Sequence, residues 1–337
     1  MGDLIHALPA LTDASEAFPG LEADWVVDES FAEVPSWHRN VNNIYTSAHR
    51  RWRKDFFNSF KNREFGNFYR QINHNNYDAI IDAQNNIKSA FVTILRKGKV
   101  HGMDAVSVAE SPAHLAYAFR HGIEKNQHAI ARQRQLFSAA LEYEIPHRPL
   151  DFGLKPGAFT TKYEGLPERF IFLVHNASWT TKLWPEAHWH ALIETINNNG
   201  FSVVLPNGNQ QEYERARRIA GQHNNAVALP KLPLTTIGSI LDKAAGAVCC
   251  DTGLCHMAAM IGTPAVSLYG PTSEKLIGAT GKNQVHLVAS DSEFPCAPCY
   301  QHRCTFNGKS EEISACMTSF TPEQVWKGLH DKIVSAV

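Results

Sequence analysis

The feature that most constrains this chain is an alternation of short, uniformly apolar runs with helical patterns between about residues 170 and 270. The clearest apolar runs lie at 169–175, 201–206 and 246–250, and segments with helical periodicity separate them. Strands that are apolar throughout are typical of a parallel sheet covered on both faces. This half of the chain therefore predicts a Rossmann-like, doubly wound α/β domain.

The first half repeats this rhythm less regularly and predicts a second Rossmann-like α/β domain. Its main predicted elements are helices over 3–17, 53–73 and 87–95 and strands over 23–27, 44–47 and 79–82. Glycines and prolines between 155 and 168 indicate a linker. We therefore expect domains at 1–154 and 169–320, and a C-terminal helix over 321–337 that packs on either domain.

The start of the chain is unusual for such a fold. It opens directly on a turn and a helix, whereas a doubly wound domain normally begins with a central strand. We expect about ten further residues upstream of Met1, enough for one strand and a turn. The alternative is a true start with a different strand order.

Composition excludes several classes of protein. With 44% hydrophobic residues the chain is not disordered, and 32 basic against 33 acidic residues give no field that would attract nucleic acid. No apolar run reaches the roughly 18 residues that cross a bilayer, and the first residues lack the pattern of a signal peptide. We expect a cytoplasmic protein. Cys249, Cys250 and Cys255 in apolar segments also suit a reducing compartment.

A phosphate site is predicted where a strand ends at Asp251-Thr252-Gly253 and a helix with His256 begins. Free backbone N–H groups and the helix dipole favour an anion there, and glycine allows close approach. The alternative is an ordinary turn and helix cap.

A second strand-to-helix junction in the same sheet carries Ser178 and Lys182. Lys182 would neutralise a diphosphate and Ser178 would donate a hydrogen bond, unless Lys182 is a solvated loop residue. Glu212, after the next strand, would accept hydrogen bonds from ribose hydroxyls or simply complement the helix dipole.

The first half contains a basic cluster around Trp52, formed by Arg50, Arg51, Arg53 and Lys54. With Lys88 it would bind phosphates or carboxylates of an acceptor while nearby phenylalanines rest at a membrane surface. The alternative is a solvated charged face above core aromatics.

A cysteine-rich segment lies near the end of the chain. Cys296, Cys299, Cys304 and Cys316 predict either a zinc-bound loop or thiols that are reduced or transiently disulfide-bonded. Their spacing matches no common zinc finger.

Five motifs in this order resemble the lipopolysaccharide heptosyltransferases, the ADP-heptose glycosyltransferases of family 9, and most closely the heptosyltransferase I branch. They are Met1-Gly2-Asp3-Leu-Ile-His6, Arg50-Arg51-Trp52-Arg53-Lys54, Tyr77-Asp78-Ala-Ile-Ile-Asp82-Ala-Gln84, Lys182-Leu-Trp184-Pro185, and Asp251-Thr252-Gly253-Leu-Cys-His256 with Tyr269-Gly-Pro-Thr272. The resemblance implies a GT-B fold. It also implies an inverting transfer of L-glycero-D-manno-heptose from ADP-heptose to Kdo of the lipopolysaccharide inner core, with no metal or other cofactor. The acceptor would be Kdo-lipid A, met by a peripheral protein on the cytoplasmic face of the inner membrane.

The resemblance implies a role for each matching residue. Asp3 would be the general base, and Lys182 would face it across the sugar. The donor-binding residues would be Ser178, Glu212, Asp251, Thr252, Gly253 and His256. The acceptor-binding residues would be Arg50, Arg51, Arg53, Lys54 and Lys88.

Three departures from the family pattern concern the acceptor. Asn85 replaces a glycine, no basic residue stands near Ala109, and the cysteine-rich tail resembles heptosyltransferase II. Phosphorylated Kdo and heptose therefore remain alternative acceptors. Two other classes stay open: an enzyme that isomerises or hydrolyses a nucleotide sugar, and a truncated, inactive copy that binds nucleotide.

Overall fold

The computed structural model describes residues 1–55, 59, 62–96, 98–221, 223–306 and 313–335, with only the backbone of Arg50 and Arg53. The chain forms two compact units, residues 3–158 and 159–337. Each is built from parallel strands and helices, so the α/β prediction is confirmed. Within the described residues no helix is both long and apolar enough to span a membrane.

The first unit contains two small parallel sheets. One pairs β1 (Ala23–Asp28) with β2 (Val41–Ser47), and the other orders β3 (Ile80–Ile81), β4 (Val100–Met103) and β5 (Phe119–His121). Its α-helices are α1 (Gly2–Ala17), α2 (Glu33–Ser36), α3 (His49–Lys54), α4 (Glu64–Ile72), α5 (Ile87–Ile94) and α6 (Ala129–Leu141). Sequence analysis did not identify β4, β5 or α6. The upstream strand stays a prediction.

The single helix predicted over 53–73 is wrong. The first helix, α3, ends at Lys54, where the Asp55 N–H bonds the Arg51 carbonyl. Arg63 then adopts a left-handed conformation with φ of 58°, which α-helices exclude, and α4 begins at Glu64. The predicted continuation through residues 56–58, 60 and 61 lies outside the described residues.

Among the described helices of the first unit, α1 has the longest continuous run of buried residues. Every residue from Leu4 to Ala14 is buried, and Leu11 and Ala14 pack against β2 and α6. The buried Asp13 forms an ion pair of 2.5 Å with Arg134. Asp3, in the first turn, is exposed and accepts no hydrogen bond from the described residues. A packed helix therefore holds a free carboxylate at its N-terminal end.

The second unit is a six-stranded parallel sheet. Its strands are β6 (Phe170–Val174), β7 (Ser202–Leu205), β8 (Ala226–Ala228), β9 (Gly246–Cys250), β10 (Ala265–Tyr269) and β11 (Gln284–Val288), in the spatial order β8-β7-β6-β9-β10-β11. This is the doubly wound order 3-2-1-4-5-6, whose topological switch point lies between β6 and β9. The Rossmann-like prediction for this half is confirmed.

Helices cover both faces of this sheet. They are α7 (Glu186–Asn198), α8 (Gln210–Ala220), α9 (Leu234–Lys243), α10 (Gly253–Ile261), α11 (Glu274–Ile277), α12 (Ala315–Thr318) and α13 (Pro322–Ser335). The C-terminal helix α13 packs against α7 and against β9, β10 and β11, with Val325 and Leu329 fully buried. The sequence did not decide which domain this helix packs on, and the structure shows that it packs on the second unit.

Asn85 is a buried structural residue of the first unit. It adopts a left-handed φ of 53°, which asparagine tolerates better than most residues. Its side chain donates to the Asp82 carbonyl at 2.8 Å and accepts from the Met103 N–H at 2.7 Å, joining the ends of β3 and β4. Burial raises the pKa of the adjacent Asp82 carboxyl. Asn85 therefore makes two side-chain hydrogen bonds that a glycine at this position would lack.

We expect Asn85→Ala to destabilise the first unit by about 2–4 kcal/mol, because it leaves the buried Met103 N–H unpaired and forces alanine into a left-handed conformation. Asn85→Gly should lose less stability than Asn85→Ala, since glycine removes the side-chain hydrogen bonds but tolerates the left-handed conformation. Thermal unfolding checks both variants, with the exposed Asn42→Ala as control. Equal melting temperatures for Asn85→Ala and Asn42→Ala would contradict this role.

Candidate active site

The switch point of the second sheet brings two loops together. Strands β6 and β9 are hydrogen-bonded neighbours, with Val174 opposite Cys249. The loop after β6 contains Ser178 and Lys182, and the loop after β9 contains Asp251. Ligands of doubly wound sheets bind outside the carboxyl ends of the strands at this point.

Asp251 holds the ammonium of Lys182. The Lys182 Nζ lies 2.6 Å from Asp251 Oδ2, and the two side chains are 12% and 3% exposed. Thr272, in the loop after β10, donates to the same oxygen at 2.8 Å. The ammonium also lies 4.6 Å from the centre of the Trp179 ring, a cation–π distance. Lys182 is therefore held by Asp251 and Trp179, and Thr272 holds Asp251, so Lys182 is not a solvated loop lysine.

The N-terminus of α10 lies beside this ion pair. Thr252 caps the helix by accepting from the Leu254 N–H, and its carbonyl accepts from the Cys255 N–H. The first turn of a helix leaves backbone N–H groups without partners inside the helix. The helix dipole and the Lys182 ammonium therefore both favour an anion at the turn formed by Thr252 and Gly253.

One group of potential metal ligands lies in the same place. Ligand atoms of Asp251, Cys255 and His256 lie within 4.8 Å of one another, and all three residues are buried. Burial raises the pKa of the Cys255 thiol to about 12, and this thiol donates to the Thr252 carbonyl at 2.8 Å. Metal binding here would require loss of that proton and competition with Lys182 for Asp251. The Cys255 proton and the Lys182 ammonium therefore both oppose a cation at these three residues.

A buried arginine joins the two ends of the loop after β6. Arg215 on α8 donates from Nη1 to the His175 carbonyl at 2.8 Å and from Nη2 to the Trp184 carbonyl at 2.7 Å. Burial, with the charge of Arg215, lowers the pKa of His175 to about 3, so this imidazole is neutral. The guanidinium therefore fixes the span of the loop that carries Ser178 and Lys182.

The cysteine-rich segment contacts the same loop from the other side. Thr181 donates to the Gln301 carbonyl at 2.8 Å, and Ser314 donates to the Thr181 carbonyl at 2.5 Å. The Trp179 and His302 rings lie 4.2 Å apart. Sequence analysis did not place this segment near the site.

The other predicted donor residues are placed as follows. Ser178 is exposed on the loop. His256 is buried in α10. Glu212 lies in the first turn of α8, where its carboxylate accepts from the Gly208 N–H at 2.7 Å and from the Asn209 side chain at 2.9 Å. Glu212 is therefore placed to complement the helix dipole, as in the alternative reading, and ribose binding by Glu212 stays a prediction.

The predicted acceptor residues lie in the first unit. Arg51 forms a two-bond ion pair with Glu29 at 3.1 Å and a second ion pair with Glu64 at 2.7 Å. Hydrogen bonds from Trp52 and Arg51 hold the pKa of Glu64 below its usual value. These contacts link α3 to α4. Arg51 thus has a structural function, and acceptor binding by Arg51 stays a prediction.

The remaining basic residues are free of such ion pairs where they are described. Lys54 and Lys88 are exposed and pair with no acidic group among the described residues. The side chains of Arg50 and Arg53 lie outside the described part of the chain.

The four cysteines of the tail are neighbouring free thiols. Burial raises the pKa of Cys316, and Cys299, Cys304 and Cys296 add to that shift. Sulfur ligands of a tetrahedral zinc lie about 3.8 Å apart, given Zn–S bonds of about 2.3 Å. Within the described residues no three of these sulfurs lie within 4.8 Å of one another. The zinc site is therefore not assembled here and stays a prediction.

Sequence analysis missed three residues that shape the site: Thr272, Trp179 and Arg215. Thr272 belongs to a quoted motif but had no assigned role. The signal for Arg215 was its position on α8, four residues before the buried Ile219. A charged residue on the buried side of an amphipathic helix normally has buried partners.

Arg215→Lys tests the loop anchor. A single ammonium cannot bridge two carbonyls in the way that a planar guanidinium does, so we expect a loss of about 2–4 kcal/mol in stability. Amide hydrogen exchange should accelerate between residues 176 and 183. Arg217→Lys is the matched control, because Arg217 is exposed on the same helix. If the two variants behave alike, Arg215 does not hold the loop.

Comparisons of this chain with a family profile and with individual proteins agree on one family. The chain matches the profile of glycosyltransferase family 9 (heptosyltransferase) over residues 65–310. It is 41% identical over 335 residues to lipopolysaccharide heptosyltransferase 1 of Pseudomonas aeruginosa, covering 96% of this chain and 93% of that relative. It is 42% identical over 286 residues to lipopolysaccharide heptosyltransferase 1 of Escherichia coli K12, covering 85% and 89%.

Solved structures agree with this assignment. The structure of E. coli heptosyltransferase WaaC with ADP has a TM-score of 0.84 and 37% identity, covering 98% of this chain and 97% of that one. E. coli ADP-heptose LPS heptosyltransferase II is similar in fold, with a TM-score of 0.73 at 17% identity and coverage of 99% and 96%. The GT-B prediction is confirmed by these likenesses. The chain belongs to glycosyltransferase family 9, the heptosyltransferases.

Proposed function

We propose that this protein transfers L-glycero-D-manno-heptose from ADP-heptose to Kdo of the lipopolysaccharide inner core. The observation that carries the proposal is the Lys182–Asp251 pair at the switch point, beside the N-terminus of α10. The solved relative WaaC binds ADP and ADP-2-deoxy-2-fluoro heptose, which supports the same donor here.

The Lys182 ammonium and the N-terminus of α10 are the groups of this site that suit a leaving diphosphate. Lys182, the Ser178 hydroxyl and the backbone of Thr252 and Gly253 would bind the phosphate oxygens. They would stabilise the charge that develops as the bond between the anomeric carbon and the phosphate oxygen breaks. This arrangement supplies the role that a metal has in other transferases, so we propose a metal-independent reaction.

The remaining donor contacts would involve Asp251, Glu212 and His256. Asp251 Oδ1 accepts no hydrogen bond from the described residues, so it is available to a heptose hydroxyl. Glu212 would contact the ribose, and His256 would support the sugar-binding side of α10.

Asp3 would act as general base. The Kdo hydroxyl oxygen attacks the anomeric carbon from the face opposite the diphosphate, so the configuration inverts, and Asp3 accepts the hydroxyl proton. A carboxylate suits this step because the acceptor oxygen becomes acidic only as the new bond forms. The exposed, unpaired carboxylate of Asp3 on the packed helix α1 supports this role.

Arg50, Arg51, Arg53, Lys54 and Lys88 would bind the anionic acceptor, Kdo-lipid A. Arginine and lysine are the residues that pair with carboxylates and phosphates. We place the reaction at the cytoplasmic face of the inner membrane, with the enzyme bound peripherally.

The direct test is ADP release from ADP-heptose with and without Kdo-lipid A. Acceptor-dependent release, together with a heptosylated product seen by mass spectrometry, supports the transfer. Release without acceptor would identify a hydrolase, and no release with retained ADP binding would identify a nucleotide-binding protein. Phosphorylated Kdo and heptosylated acceptors in parallel reactions identify the acceptor.

Asp3→Asn should reduce turnover by about 100-fold or more, because the base is lost. ADP binding should remain within about threefold, since Asp3 is not a nucleotide ligand in this mechanism. Calorimetry and the ADP-release assay measure the two effects. The exposed Glu22→Gln in the same unit should change neither. Retained turnover in Asp3→Asn would remove this residue from the mechanism.

Lys182→Ala should weaken ADP binding by about tenfold or more and lower kcat as well, because diphosphate contacts act in both the ground state and the transition state. The same two assays apply, and the exposed Lys231→Ala is the matched control. Unchanged kinetics would show that Lys182 serves only to pair with Asp251.

A further inference from the structure

Helix α5 of the first unit presents an apolar face to solvent. Ile87, Phe91 and Ile94 are 52%, 52% and 68% exposed. Their spacing of four and three residues places them on one side of the helix. Ala90 and Thr93, on another side, are buried. Helix α5 thus has an anchored side and an exposed apolar side.

The neighbouring turn extends this apolar surface. The 3₁₀ segment Ser111–Ala116 packs against α5, and its Leu115 is 68% exposed. Large exposed side chains that cluster in this way mark an interaction surface, whereas isolated ones do not. We call Ile87, Phe91, Ile94 and Leu115 the α5 patch.

Basic residues lie in and after α5 in the sequence. Residues 87–99 include Lys88, Arg96, Lys97 and Lys99 and no acidic residue. Lys88 is exposed on α5 and Lys99 is exposed beyond it, whereas the Arg96 guanidinium donates to Asn73 and to the Asn75 carbonyl. Glu110 accepts from the Ile87 N–H at the start of α5 at 2.9 Å.

The patch is also continuous with the basic helix α3. The Phe91 ring lies 6.5 Å from the His49 ring, and His49 begins α3. Burial lowers the pKa of His49, Asp28 opposes this shift, and the nearby charge of Lys88 adds to it. The segment 49–54 carries four cations and no acidic residue. The basic segments 49–54 and 87–99 therefore approach each other where His49 meets Phe91.

We propose that the α5 patch docks the first unit onto an anionic lipid bilayer, with Ile87, Phe91 and Ile94 inserted at the headgroup level. An amphipathic helix with apolar residues on one face and flanking lysines and arginines is typical of such interfacial binding. The proposal rests on the proposed function in one respect: the acceptor is then a lipid, and docking would place the basic residues at its headgroup.

A second copy of the chain suits this surface less well. Two copies meeting through the α5 patch would place Lys88 and the basic segments near their own counterparts, and like charges repel. An anionic bilayer offers both the apolar medium and the opposite charge. Charge complementarity therefore favours the bilayer.

The test measures binding of the full-length protein to sedimentable vesicles without ADP-heptose or acceptor. Phosphatidylcholine vesicles with and without phosphatidylglycerol, each at low and high salt, separate the apolar contribution from the electrostatic one. We expect binding that requires phosphatidylglycerol and weakens with salt. The double variant Phe91→Ser/Ile94→Ser should bind at least about tenfold more weakly than the wild type, because two inserted apolar side chains are lost.

Val334→Ser is the matched control, since Val334 is 62% exposed on α13 of the second unit. Melting temperatures verify that all variants are folded. Absence of vesicle binding by the wild type, or equal binding by the double variant and Val334→Ser, would overturn the proposal. A dimer in sedimentation that only the double variant abolishes, with vesicle binding unchanged, would also overturn it.

The outcome is independent of the transfer reaction. Vesicle binding is measured without substrates, so its failure leaves the ADP-release result intact. Conversely, binding without acceptor-dependent ADP release would refute the proposed function alone. With a water-soluble, deacylated Kdo acceptor, the double variant should retain the wild-type rate.

Discussion

The site of the second unit depends on one carboxylate oxygen. Asp251 Oδ2 accepts from the Lys182 ammonium and from the Thr272 hydroxyl, and these groups follow β9, β6 and β10 respectively. Three neighbouring strand ends are thereby connected through a single atom. Because Lys182 and Asp251 are nearly buried, loss of either partner would leave a charge with little access to water. The sheet order makes this convergence possible, and the ion pair holds it.

The convergence itself was predictable from the sequence. Uniformly apolar strands indicate a parallel sheet, and the carboxyl ends of parallel strands lie on one edge. Lys182 and Asp251 both follow such strands, so their proximity required no long-range information. Arg215 was not predictable in this way, because its partners are the backbone carbonyls of His175 and Trp184, which have no sequence signature.

In the first unit, sequence patterns predicted the strands and helix ends less well than in the second unit. Its strands are short, and β3 has two residues, too few for a period to appear. The helix predicted over 53–73 failed because Arg63 takes a left-handed conformation, which no composition rule assigns to arginine. Asn85 was noticed as a departure from a family pattern. Its hydrogen bonds to Asp82 and Met103 became visible only in the structure.

Two sets of groups would compete for the carboxylate oxygens of Glu212, namely the loop before α8 and the proposed ribose. Its carboxylate oxygens accept from the Gly208 N–H and the Asn209 amide, and Asn209 in turn caps α8. A ribose that hydrogen-bonds this carboxylate must share those oxygens or displace the loop groups. The start of α8 would then respond to nucleotide. Helix α8 also carries Arg215, so the Glu212 carboxylate and the side chain that fixes the two ends of the loop after β6 belong to one helix, less than one turn apart.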